Sequence, residues 1–97
     1  MSITHVTQFH AAPDRESELA TLLEEGRNRM RASAGCESFD LLRDESDTQA
    51  FIFIQRWISP EAHDKAFVEH IVQTGHPDKV LAALGEPLAQ RTFLSLP

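Results

Sequence analysis

Cysteine is almost missing from this chain and tyrosine is missing altogether. The lone thiol, Cys36, excludes an internal disulfide framework and leaves no thiolate cluster for structural zinc. Basic residues are also few, nine against fifteen acidic ones, for a formal charge of −6. They are scattered rather than clustered, which removes the electrostatic footprint of a nucleic-acid binder, so no DNA or RNA partner is expected. No run approaches the roughly 18 apolar residues of a membrane span, and MSITHVTQFH has neither the basic start nor the apolar stretch of a signal peptide. A cytoplasmic protein with no membrane partner is expected. No Ser-His-Asp order, glycine-rich phosphate loop or paired-carboxylate motif is present, and hydrolase and nucleotide chemistry lose their support. A chain of 97 residues is expected to form one domain over 1–97. At that size it buries only about two-thirds of the surface its unfolded form exposes, so a partner subunit would stabilise it.

What is present has clear periodicity. Residues 3–10, ITHVTQFH, alternate with Ile3, His5, Thr7 and Phe9 on one side and Thr4, Val6, Gln8 and His10 on the other, a strand with a mixed face. Leu19, Leu22, Leu23, Gly26, Met30 and Ala34 then recur at helical spacing, predicting an amphipathic helix over about 13–33 that ends at Gly35. CESFDLLRD and AFIFIQRWI predict two strands joined as a hairpin through the polar DESDT turn. In the latter strand Phe51, Phe53 and Trp57 share one face and Ile52, Ile54 and Ile58 the other, so both faces favour burial. Ser59 and Pro60 have the N-cap and first helical positions of a helix reaching about Gln73, interrupted at Gly75. HPDKVLAALGEP predicts a short further helix and RTFLSL a last strand. The order β-α-β-β-α-(α)-β is that of an α+β, ferredoxin-like split β-α-β, a four-stranded antiparallel sheet with helices on one face. An apolar strand face left uncovered by helices predicts a homodimer, each subunit covering the other's open sheet face in a dimeric α+β barrel.

The residues able to carry chemistry lie around the end of the third strand. Trp57, the sole tryptophan, has the position of either a core anchor or the aromatic wall of a ligand cavity. His63, Phe67 and His70 fall at i, i+4 and i+7, so the second helix carries two imidazoles along one stripe. His63, His70 and, on the same strand face as Phe9, His5 are candidates for proton transfer, because imidazole titrates near neutral pH; each could equally be a satisfied structural residue. Asp64 and Glu69 complete no known ligand spacing with His63 and His70, so no metal is expected.

The first strand with its long helix, the Gly35–Cys36 step into the second strand, and above all the block FIFIQRWISPEAH resemble the antibiotic biosynthesis monooxygenase (ABM) domain. The resemblance spans nearly the whole chain. It implies a dimeric ferredoxin-like fold and a small cofactor-independent monooxygenase that oxidises an electron-rich aromatic, a phenol, anthrone or quinol, with O2. No metal or flavin is needed, because a substrate enolate or phenolate can itself reduce O2 while the protein supplies a dry cavity, a base and oxyanion donors. The resemblance makes Trp57, Phe53 and Phe67 substrate-binding and His63, His70 or His5 the catalytic base. The chain departs from the anthrone oxygenases at Phe53, where they carry an amide residue, and at His63, where they carry a tyrosine. It departs from quinol-type members at Ala66, where they carry a histidine; His70 matches a later one only across a gap. A haem-degrading branch has Asn, Trp and an axial His at positions corresponding to Thr7, Ala66 and His76, of which the histidine alone is retained. The alternative from another class is a non-catalytic dimeric module that binds a small aromatic ligand.

Overall fold

The computed structural model describes residues 1–97. The element order is β1 (Ile3–His10), α1 (Glu16–Arg31), β2 (Cys36–Arg43), β3 (Ala50–Trp57), α2 (Pro60–His70), a 3-10 turn (Val72–Thr74), α3 (His76–Ala83) and β4 (Ala89–Leu94). The strands form one antiparallel sheet in the order β2-β3-β1-β4, the ferredoxin-like arrangement expected from the sequence.

The period-two alternation of β1 is reproduced in burial. Ile3, His5, Thr7 and Phe9 are all buried, while the residues between them are partly or fully exposed. Helix α1 starts later than its spacing predicts because Asp14 takes a left-handed φ of 66°, which no right-handed helix accommodates. It ends at Arg31, before Gly35 with φ 87° redirects the chain into β2. Helix α2 begins as its signals predict: the Ser59 hydroxyl accepts the Ala62 N–H at 3.1 Å, and Pro60 occupies the first turn. It stops at His70 rather than near Gln73, the chain tightening into the 3-10 turn that left-handed Gly75 closes. Strand β3 ends at Trp57. Ile58, expected on the face of Ile52 and Ile54, lies beyond the strand, where its N–H donates to the Gly35 carbonyl and its side chain is exposed. Strand β4 begins two residues before the RTFLSL run.

The helices lie on one sheet face and bury two apolar clusters. One comprises Phe9, Ala11, Leu19, Leu23, Phe51, Val80 and Ala83; the other comprises Ile3, Met30, Phe39, Trp57, Ala66 and Ile71. Both draw on α1, through Leu19 and Leu23 in the first and Met30 in the second, with Gly26 between them. At that point the packing opens into a cavity of about 480 Å3, bounded by members of both clusters. Edge strand β4 is exposed along its whole length.

Candidate functional site

Strand register places the polar groups of the cavity. His5 pairs with Gln55 on one side and Thr92 on the other, and Thr7 pairs with Phe53 and Gln90, so two rows of side chains cross three strands on the helix-covered face. The Thr92 hydroxyl lies 2.7 Å from His5 Nδ1 and the Gln90 amide nitrogen 3.3 Å from it. An amide nitrogen can only donate, so Nδ1 accepts and the His5 proton sits on Nε2. Burial disfavours the charged ring and holds the His5 pKa below the ordinary histidine value, with the nearby His63 acting in the same direction.

His63 comes over this row from the first turns of α2. Its ring is 4.2 Å from that of His5, stands edge-on to Trp57 at 5.5 Å, and stacks on Phe67 at 5.8 Å. Nδ1 lies 2.9 Å from Asp64 Oδ1. A carboxylate accepts, so neutral His63 carries its proton on Nδ1 and a lone pair on Nε2. A base oriented by an acidic partner on the wall of a largely apolar cavity is chemically competent for proton abstraction. Phe53, Phe67, Phe39 and Met30 give that cavity flat and flexible apolar walls.

The six residues singled out in the sequence separate in space. His63, Phe53 and Phe67 line the cavity. His5 lies against His63 from the sheet. Trp57 is fully buried among the core residues, and its indole N–H donates to Gln55 Oε1 at 2.8 Å, so that Gln55 rather than Trp57 meets the cavity. His70, at the end of α2, does not line it. Among the lining residues, Gln55, Asp64, Gln90 and Thr7 were not selected from sequence as ligand contacts. Gln55 did leave a signal: it is the one polar residue in the dry alternation Phe51, Phe53, Gln55, Trp57.

Across the cavity stands His76, buried at the start of α3, with Nε2 2.7 Å from the Leu22 carbonyl. The carbonyl fixes the neutral tautomer with the proton on Nε2 and the lone pair on Nδ1. Gly26 permits this approach, since a Cβ there would stand 3.3 Å from the imidazole. Of the three residues of the haem-degrading branch only this histidine is retained, since Thr7 and Ala66 stand where that branch has Asn and Trp. No group of three or more His, Cys, Asp or Glu side chains is placed to hold a metal ion. No helix is long and apolar enough to cross a membrane.

The fold is that of a small α+β, ferredoxin-like protein with a cavity between sheet and helices, and the sequence profile described as antibiotic biosynthesis monooxygenase matches residues 2–78. The chain belongs to that family. Among solved structures it is similar to Rv0793 from Mycobacterium tuberculosis, with a TM-score of 0.88 and 24% identity over 100% of this chain and 97% of that one. It is likewise similar to PA3566 from Pseudomonas aeruginosa, with a TM-score of 0.84 and 24% identity over 99% and 95% of the two chains. SnoaB, a cofactor-independent oxygenase from Streptomyces nogalater, superimposes with a TM-score of 0.81 at 16% identity, over 97% of this chain and 92% of that one. These likenesses establish the shared fold. No curated protein matches the sequence.

Proposed function

We propose that the protein is a cofactor-independent monooxygenase acting on an electron-rich hydroxylated aromatic, a phenol, anthrone or quinol. The observation that carries this reading is His63: its Nδ1 is held by Asp64, which leaves the Nε2 lone pair as a base on an apolar cavity of about 480 Å3. A planar aromatic held between Phe53 and Phe67 gives its proton to His63. The resulting enolate or phenolate donates electrons to O2 and forms a carbon–oxygen bond to it. In an anthrone-type substrate the O–O bond then breaks, so that an activated CH2 carbon becomes a carbonyl with one oxygen of O2 and the other leaves as water. The cavity contributes exclusion of water, a pre-oriented base, and His5 packed behind the imidazole. SnoaB's description as a cofactor-independent oxygenase supports the reading.

The working unit in this reading is a homodimer formed through the uncovered sheet face. Val6, Ile52 and Ile54 are only partly covered there, and Leu42 and Phe93 are exposed beside them.

Oxygen uptake with a panel of anthrones, naphthols and hydroquinones, without added metal or flavin, tests the reaction. Uptake above background that His63→Ala abolishes and His70→Ala leaves is the expected result. Silence across the panel together with tight binding of those compounds would make the protein a binding module instead.

A further inference from the structure

An oxygenase of the kind proposed above turns a substrate hydroxyl into an oxyanion, and an apolar cavity must then supply a hydrogen-bond donor to it. We propose that Gln55 is that donor, its side-chain NH2 forming a subsite for the ionised oxygen of an aromatic ligand, and that Trp57 is a positioning residue that sets the amide's direction.

An indole nitrogen has one hydrogen and no lone pair to offer. The Gln55 atom 2.8 Å from Trp57 Nε1 is therefore the carbonyl oxygen, and the amide cannot turn over without leaving a fully buried N–H unpaired. Its NH2 end is thereby committed to the other direction. Gln55 is only 6% exposed and lines the cavity. The Nε2 nitrogen has no partner within the protein, yet no buried side-chain nitrogen or oxygen is left without one, so Nε2 is open to the cavity. A donor held facing a mostly apolar space is poorly solvated and is stabilised when a ligand oxygen accepts from it.

Neighbouring groups sharpen the assignment. His5, paired with Gln55 across the strands, has its Nδ1 engaged by Thr92 and Gln90. His76 offers the cavity a lone pair while neutral, because the Leu22 carbonyl takes its N–H. Thr7 brings a hydroxyl whose direction is free to rotate, whereas the Gln55 amide is locked. Of the aromatic walls, Phe39 pairs with Gln55 from the neighbouring strand β2, and Phe53 stands two residues before it on β3 itself. The ligand class that fits is a planar aromatic carrying one acidic hydroxyl, bound as its phenolate or enolate.

This assignment rests on the oxygenase reading for the ligand's identity and not for its test. Binding of 4-nitrophenol, whose phenolate is visible by absorbance, is measured under anaerobic conditions beside 4-nitrotoluene, a probe of similar shape without the oxygen. Gln55→Leu is expected to weaken phenolate binding by about 10- to 100-fold while leaving 4-nitrotoluene unchanged. Gln55→Glu can still accept from the indole but presents an oxygen to the ligand, and is expected to lose at least as much at wild-type thermal stability. Trp57→Phe, which frees the amide to turn, is expected to fall between wild type and Gln55→Leu. Equal losses for both probes, no loss for either, or failure of the wild type to bind the phenolate would each overturn the proposal. Wild-type oxygen uptake retained by Gln55→Leu would remove the donor and leave the His63 base standing. Probe discrimination through Gln55 with no oxygen uptake would sink the oxygenase and keep the donor.

Discussion

Two histidine–carboxylate pairs in this molecule have the same length and different surroundings. His10 Nε2 lies 2.9 Å from Asp47 Oδ2, and His63 Nδ1 lies 2.9 Å from Asp64 Oδ1. The first joins the end of β1 to the turn before β3, with both side chains substantially in water. In the second the imidazole is largely covered, enclosed by Trp57, His5 and Phe67, while its free nitrogen belongs to a residue lining the cavity. Bond geometry does not tell these pairs apart. Their surroundings do, because a lone pair performs useful chemistry where a ligand can be held and water excluded.

The largest expected difference between them is in turnover. His63→Ala should reduce oxygen uptake by about a hundred- to ten-thousand-fold, the range for loss of a general base, with His10→Ala at the wild-type rate. Comparable losses in the two variants would erase the distinction. Next comes the support behind His63. Trp57→Ala should cost about 3 kcal/mol or more in chemical denaturation, since it empties a fully buried site and leaves Gln55 Oε1 without its donor. A wild-type denaturation midpoint in that variant would contradict the packing. Asp64→Ala should lower turnover by about three- to tenfold, as expected for loss of one orienting hydrogen bond, whereas Asp47→Ala should leave turnover alone.

The smallest effects concern pH, and here His10 is best set against His5. The hydrogen bond to Asp47 raises the His10 pKa, and the Gln49 backbone N–H followed by His10 lowers that of Asp47. Stability from His10 is thus fully present below the ordinary histidine value and lost as pH rises through its raised value; that from Asp47 is lost as pH falls through its lowered value. His5 has the opposite sign. Burial lowers its pKa, so the unfolded chain binds more protons and stability falls as pH drops below the ordinary histidine value. In pH-dependent thermal melts His10→Gln should flatten the alkaline side of the profile and His5→Gln the acidic side. Exchange of those two outcomes would reverse the assignment.

Much of the architecture was legible because it rests on local chemistry. The alternation of β1 required no partner to be read, and Ser59–Pro60 marked the start of α2 through bonds within four residues. Boundaries were less legible where one backbone angle intervened, as at Asp14 before α1. The site was legible only in its residue types. Phe53, His63 and Phe67 could be named, whereas the alternation marks Gln55 only as its odd polar member, and the helical spacing of His70 does not show that it stays outside the cavity.

The amino-acid sequence by itself determined the element order, the alternation of β1 and membership of the family, since strand and helix periods and capping signals act over a few residues. Tertiary structure alone decided the register that sets His5 between Gln55 and Thr92. It also decided the approach of His63 to His5 and the fixed direction of the Gln55 amide. Thr92 is 87 positions from His5, a separation over which no local preference acts, and their contact exists because β4 pairs with β1 in the register that sets the two residues opposite each other.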